Sequence, residues 1–220
     1  MNPKGLEVVT VALDTGGADA AREFIELADP DHPALIDEAH ILDELLGIVN
    51  VPSGVWIDEH GHIVRPPDIA WTRSIDNSHL EIPEDADADK AELIRIAKGL
   101  RIDGDPYVEA IRDWANNGSE SEFALDPDEV IERSRPRPFA YAKAAAAYEL
   151  GQHLHREGFG EDAIAYFREA HSLYPENWTY KRQAWSFVDP KQGQTDTYEG
   201  YWRKDVAESG VENYYPEFTP

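Results

Sequence analysis

The sequence contains no cysteine. That excludes disulfides, thiolate metal sites and thiol catalysis within this chain, and leaves the redox compartment undetermined. It is also short of positive charge, with 20 Lys and Arg against 44 Asp and Glu and a net charge of −24. Such a surface repels nucleic acid and anionic membranes, which associate with proteins chiefly through Lys and Arg. No apolar run approaches the ~18 residues needed to span a bilayer, and the first residues lack the basic-then-apolar order of a signal peptide. A soluble, cytoplasmic protein is expected, with neither nucleic acid nor membrane as a partner. Gly16-Gly17 lacks the partner glycines and Lys of a nucleotide loop, and Ser53-Gly54 is not a Gly-x-Ser-x-Gly elbow, so no cofactor is implied. The acidic residues are spread from end to end, which reads as a solvated surface.

What is present is an α/β pattern followed by an all-helical one. Leu6–Leu13 is β-branched and nearly uncharged, as a buried strand should be. Ala20, Ala21, Phe24, Ile25 and Ala28 recur at helical spacing and stop at Asp29-Pro30. Pro33–Ile36 is a brief apolar run, and Asp37 can cap a helix carrying Ile41, Leu42, Leu45 and Leu46, closed by Gly47. Val49 to Arg65 reads as a β-hairpin entered through Pro52 and turned at Gly61, with Val51–Pro52 a candidate cis peptide. Pro66-Pro67 then opens a long loop, and a helix is expected over about 88–100.

After about Arg101 strand signals cease. Asp105-Pro106 starts a helix ending at Asn117-Gly118, and Asp126-Pro127-Asp128-Glu129 forms a capping box for another. Two longer helices follow, joined through Gly158-Phe159-Gly160. Asn177–Val188 reads as a further helix, and the aromatic-rich stretch beyond Pro190 is expected to pack on the body. The expected organisation is an α/β domain over 1–101, a helical region over 102–190 and a packed tail over 191–220.

Two resemblances arise from these residues. Leu150-Gly151, Ala163, Phe167, Ala170 and Pro175 match the tetratricopeptide (TPR) pattern in order and spacing within its period of about 34 residues. Gly151 and Ala163 are small where paired helices approach, and Phe167 fills the seam. Residues 5 to 100, from Gly5–Asp14 through Pro33–Asp37 and Asp43–Gly47 to the Pro52 hairpin, resemble the thioredoxin-fold redoxins of the TlpA/ResA-like and peroxiredoxin-like kind. The resemblance implies a mixed thioredoxin-like sheet with a C-terminal TPR-like hairpin. It also implies thiol–disulfide or peroxidase-type chemistry, for which this chain has no catalytic residue.

The family's first strand and its Cys-x-x-Cys helix have no counterpart here, so the sheet is expected to be incomplete at its N-terminal side. The missing strand would lie between those corresponding to Val8–Leu13 and Val55–Asp58, which predicts a gap or direct pairing of the two. Either the chain is a shortened redoxin, which is favoured because a lost central strand exposes its neighbours' backbone, or it is a cysteine-less binding relative. In the family, the residue before the cis-proline pairs with an extended substrate. Carried over, that residue is Val51, flanked by Asn50, Pro52 and Ser53, and a peptide or protein partner is implied.

The histidines read as ordinary. His60 and His62 sit in a turn, His153 and His155 diverge on a helix, and His40 is expected at the surface or its boundary. No metal site is expected.

Overall fold

The computed structural model describes residues 5–220. The described residues form an α/β structure with two two-stranded sheets. They divide into two compact units, each assembled from two stretches of chain. One unit holds the chain up to Val49 together with Ile131–Ala184; the other holds Asn50–Val130 and Trp185–Pro220. The division expected at 101 and 190 follows chain order, whereas these units interleave the halves of the sequence.

In the first unit, β1 (Thr10–Leu13) pairs in parallel with β2 (Ala34–Asp37), Thr10 opposite Ala34 and Leu13 opposite Asp37. Helix α1 (Gly17–Ala28) connects them, ended by Asp29 in the left-handed region. Asp37 closes β2, and its carboxylate reaches forward to accept the Leu42 N–H (2.7 Å), anchoring α2 (Ile41–Leu46), which Gly47 terminates at φ +75. The expected cap thus acts from the strand end, and His40 occupies the N-cap position itself at φ +54.

The same unit contains the long helices α6 (Phe139–Arg156) and α7 (Gly160–Leu173), packed as a pair. Gly151, Ala163, Phe167 and Ala170 are buried, as their small-and-aromatic pattern requires. Leu150, expected at this contact, is instead 40% exposed. One residue is a rotation of about 100° on a helix, so burying Gly151 turns Leu150 toward the flank.

In the second unit, β3 (Ser53–Ile57) pairs antiparallel with β4 (Ile63–Ile69). The turn between them is closed at Gly61, at φ +83, by the Gly61 N–H donating to the Asp58 carbonyl (3.0 Å). The hairpin does not stop at Pro66-Pro67, as the sequence suggests; β4 runs through both prolines to Ile69. Two prolines cannot donate to a ladder, and the register slips there: Gly54 faces Asp68 but Trp56 faces Arg65. The irregularity absorbs the missing donors.

Helices α3 (Ala88–Gly99), α4 (Asp105–Asn117) and α9 (Trp202–Ser209) complete this unit. Asp87 caps α3 by accepting the Lys90 N–H (2.7 Å). The chain passes between units at Val49–Asn50, within α5 (Pro127–Arg133) and within α8 (Trp178–Val188). Asp126 and Glu129 make the expected reciprocal capping box at α5. Tyr198, Tyr214, Tyr215 and Phe218 are buried, so the aromatic C-terminal segment packs into the second unit.

β1 and β3 do not pair; each belongs to its own sheet.

Candidate functional site at the cis-proline edge

The loop into β3 begins with the four residues singled out from the sequence. The Val51–Pro52 peptide is cis, as the sequence predicts. Asn50 holds the loop from both ends of its amide: Nδ2 donates to the Tyr214 carbonyl (2.8 Å) and Oδ1 accepts the Val51 N–H (2.9 Å). Ser53 Oγ donates to the Asp68 carbonyl (3.1 Å). The side chains of Asn50 and Ser53 therefore serve the scaffold, while Val51 is 41% exposed at its rim.

The backbone after Pro52 has a defined orientation. The Pro52 carbonyl accepts the Ala70 N–H (3.2 Å), which makes this a hydrogen-bonded position of the hairpin. Strand backbone alternates, so Ser53, paired across to Ile69, turns its N–H and C=O away from β4. Among the described residues, no backbone hydrogen bond reaches this second edge of β3. The result is an open strand edge starting one residue after a cis-proline.

The hairpin is backed by an aromatic cluster. Trp56 is buried, stacks on Trp114 (5.0 Å between rings) and donates through Nε1 to the Tyr107 hydroxyl (3.2 Å). Burial pushes the Tyr107 phenol above its ordinary range, against the smaller downward pull of the Trp56 hydrogen bond. The Tyr107 hydroxyl lies where a Cβ on Gly54 would fall, so glycine is the residue that lets the ring approach the strand.

Arg65 on β4 is almost fully buried. It donates to the Phe123 carbonyl (3.2 Å), the Asp68 carboxylate (3.0 Å) and the Thr219 carbonyl, and its guanidinium lies 4.3 Å from the Phe218 ring. It joins the hairpin to the end of the chain, and nothing in its local sequence announces it.

At the turn, Asp58 Oδ1 accepts the N–H groups of His60 and His62 (2.9 and 2.8 Å). The hydrogen bond from the His62 backbone is the main reason its carboxyl sits below the usual range. Both imidazoles are exposed, and no group of three metal-capable side chains occurs among the described residues.

The first unit holds a separate polar cluster. His40 is 5% exposed, which corrects its expected surface placement. Its Nδ1 lies 2.9 Å from Asp43 Oδ2 and its Nε2 3.2 Å from Gln183 Oε1, with the Tyr148 ring edge-on at 5.6 Å. Gln183 stands 143 residues away in sequence, so no local pattern reveals the pairing.

Beside it, Glu44 pairs with Arg137 through both carboxylate oxygens and accepts the Tyr180 hydroxyl (2.7 Å). Burial raises the Glu44 carboxyl, but Arg137 and Tyr180 together outweigh it and hold the group below its ordinary value.

No family model, no curated protein and no solved structure matches this chain.

Proposed function

We propose that this chain is a redoxin-like scaffold that binds an extended polypeptide at the cis-proline edge, without thiol chemistry. The observation that carries the reading is the orientation of Ser53. Its N–H and C=O point outward immediately after cis-Pro52, beside the half-exposed Val51. An extended segment laid along β3 would satisfy these groups as an added strand and rest a side chain against Val51.

Thioredoxin-like proteins use the cis-proline loop in this way, and the resemblance of residues 5–100 to them supports the reading. In it, the α6–α7 pair serves as a TPR-like hairpin, supported by the small contacts at Gly151, Ala163 and Ala170. The absence of cysteine leaves the disulfide-exchange reaction of such proteins without a nucleophile in this chain.

The experiment is binding of labelled, reduced and carboxymethylated lactalbumin, which stays unfolded, followed by fluorescence anisotropy. Saturable binding that falls about tenfold in Val51→Asp is expected, because the change places a charge at the rim. Binding indifferent to Val51→Asp would remove the site. In parallel, insulin reduction by dithiothreitol should proceed at the buffer rate; acceleration by the chain would overturn the non-thiol reading.

A further inference from the structure

A second open edge lies in the first unit, and it differs from the cis-proline edge in direction, chemistry and surroundings. The Thr10 N–H donates to the Pro33 carbonyl (3.0 Å), so Thr10 and, two residues on, Ala12 direct their backbone groups at β2. Val11 and Leu13 therefore turn their N–H and C=O to the opposite side. Among the described residues, no hydrogen bond reaches them there.

Parallel strands are ordinarily buried on both faces, and a sheet of two strands is marginal by itself. Here the apolar side chains around the pair are left in water. Leu35, opposite Val11, is 52% exposed, and Val8 and Val9, leading into β1, are 45% and 51% exposed. The outward backbone groups of Val11 and Leu13 thus follow directly on the exposed Val8 and Val9 along one line of chain.

The charge around this edge decides what fits it. Residues 1–49 contain 11 Asp and Glu against two Lys and Arg, and β1 is bracketed by Glu7 and Asp14. Antiparallel pairing of two copies about Val11 sets Glu7 of each chain beside the Asp14–Thr15 turn of the other. That brings like charges together between chains that each carry −24. A strand with an apolar centre and Lys or Arg at both ends meets the opposite condition: its centre lies beside Val9 and Val11, and its ends meet Glu7 and Asp14.

We infer that the open edge of β1 is a docking site for a cationic β-strand of a partner protein, added beside Val11 and Leu13. The inference is independent of the cis-proline edge, because it uses other residues and another sheet.

The test uses the full chain labelled with nitrogen-15 and the synthetic peptide Lys-Val-Thr-Val-Thr-Val-Lys, with a Glu-flanked peptide of the same centre as its counterpart. The Lys-flanked peptide should slow amide exchange at Val11 and Leu13 and leave Thr10 and Ala12, already bonded to β2, unchanged. Its binding should weaken as salt is raised, and the Glu-flanked peptide should bind at least about tenfold more weakly.

Val11→Pro removes an N–H that the β1–β2 ladder does not use, so circular dichroism should stay native while binding falls about tenfold or more. If that variant fails to fold, the exchange pattern of the unmodified chain decides alone. Equal binding of both peptides, protection of Thr10 and Ala12 in place of Val11 and Leu13, or protection of Val11 that rises with protein concentration alone would each overturn the proposal.

Discussion

Gly151 on α6 lies against the ring of Phe167 on α7: a Cβ at Gly151 would fall 2.8 Å from Phe167 Cε1. That is closer than real Cβ contacts come, and Phe167 is 1% exposed, with no solvent to retreat into. The close approach of the helix pair is therefore set at Gly151, which has no side chain. Gly151→Leu is expected to destabilise the protein by about 1–3 kcal/mol through overpacking. Urea unfolding followed by circular dichroism measures this, and an unchanged midpoint would show that the helices separate without cost.

The His40 cluster is expected to be structural to the first unit. His40→Leu leaves the buried Asp43 Oδ2 without its 2.9 Å partner and removes one of the contacts of the Gln183 amide oxygen, which also accepts the Thr15 N–H (3.5 Å). The expected loss is about 2–3 kcal/mol, because a buried polar group without a partner forfeits its solvation. Thermal unfolding of His40→Leu, compared with His40→Gln, which keeps a donor, checks this; the Gln variant should recover part of the loss.

The sign of the pH dependence follows from Glu44 and Tyr180. The folded state holds the Glu44 carboxyl below its ordinary value of 4.5. The stabilisation is therefore complete above that value and is lost as pH falls through the lower folded one. Burial first, and then the hydrogen bond to ionised Glu44, pushes the Tyr180 phenol far above its ordinary 10.0. Its contribution is present below pH 10 and declines above it, as the unfolded chain ionises first. Denaturation midpoints measured across pH should show both flanks, and Glu44→Gln should flatten the acid one.

Arg65→Met is expected to loosen the end of the chain in particular. It deletes donors to the Thr219 and Phe123 carbonyls and leaves Asp68 without its 3.0 Å cation. Breaking a buried pair on one side costs about 3–5 kcal/mol. Limited proteolysis should reach residues 214–220 first in this variant; cleavage no faster than in the unmodified chain would contradict the role.

Most of the elements were legible because their signals are local. The Asp126–Glu129 box, the Gly61 turn, the Asp29 stop and the cis peptide at Pro52 each depend on neighbours within a few residues. The burial of Phe167 and Ala170 followed from helical spacing.

What escaped depends on distant partners. Leu6–Leu13 read as one strand, but only Thr10–Leu13 meets β2, because pairing ends where the partner does. Phe24 fits the apolar stripe of α1 yet stays exposed. The burial of His40 rests on Gln183, and that of Arg65 on Phe123 and Phe218, none of which is visible from the flanking sequence. The continuation of β4 through Pro66-Pro67 was hidden because the bulge that tolerates two prolines is a property of the pair of strands. Of the site, the loop residues Asn50 to Ser53 were identifiable. That Asn50 and Ser53 face inward was not, since their acceptors are the carbonyls of Tyr214 and Asp68.

Hydrogen exchange at the Ser53 amide, with and without saturating reduced, carboxymethylated lactalbumin, tests strand addition at the cis-proline edge directly. In the unbound chain this N–H points to the open edge of β3 and should exchange rapidly, while the Ala70 amide, bonded to the Pro52 carbonyl at 3.2 Å, is protected. The unfolded polypeptide should slow Ser53 by about tenfold or more and leave Ala70 unchanged, since an added strand takes up the outward N–H. Binding that leaves Ser53 exchanging at its original rate would contradict strand addition at this edge.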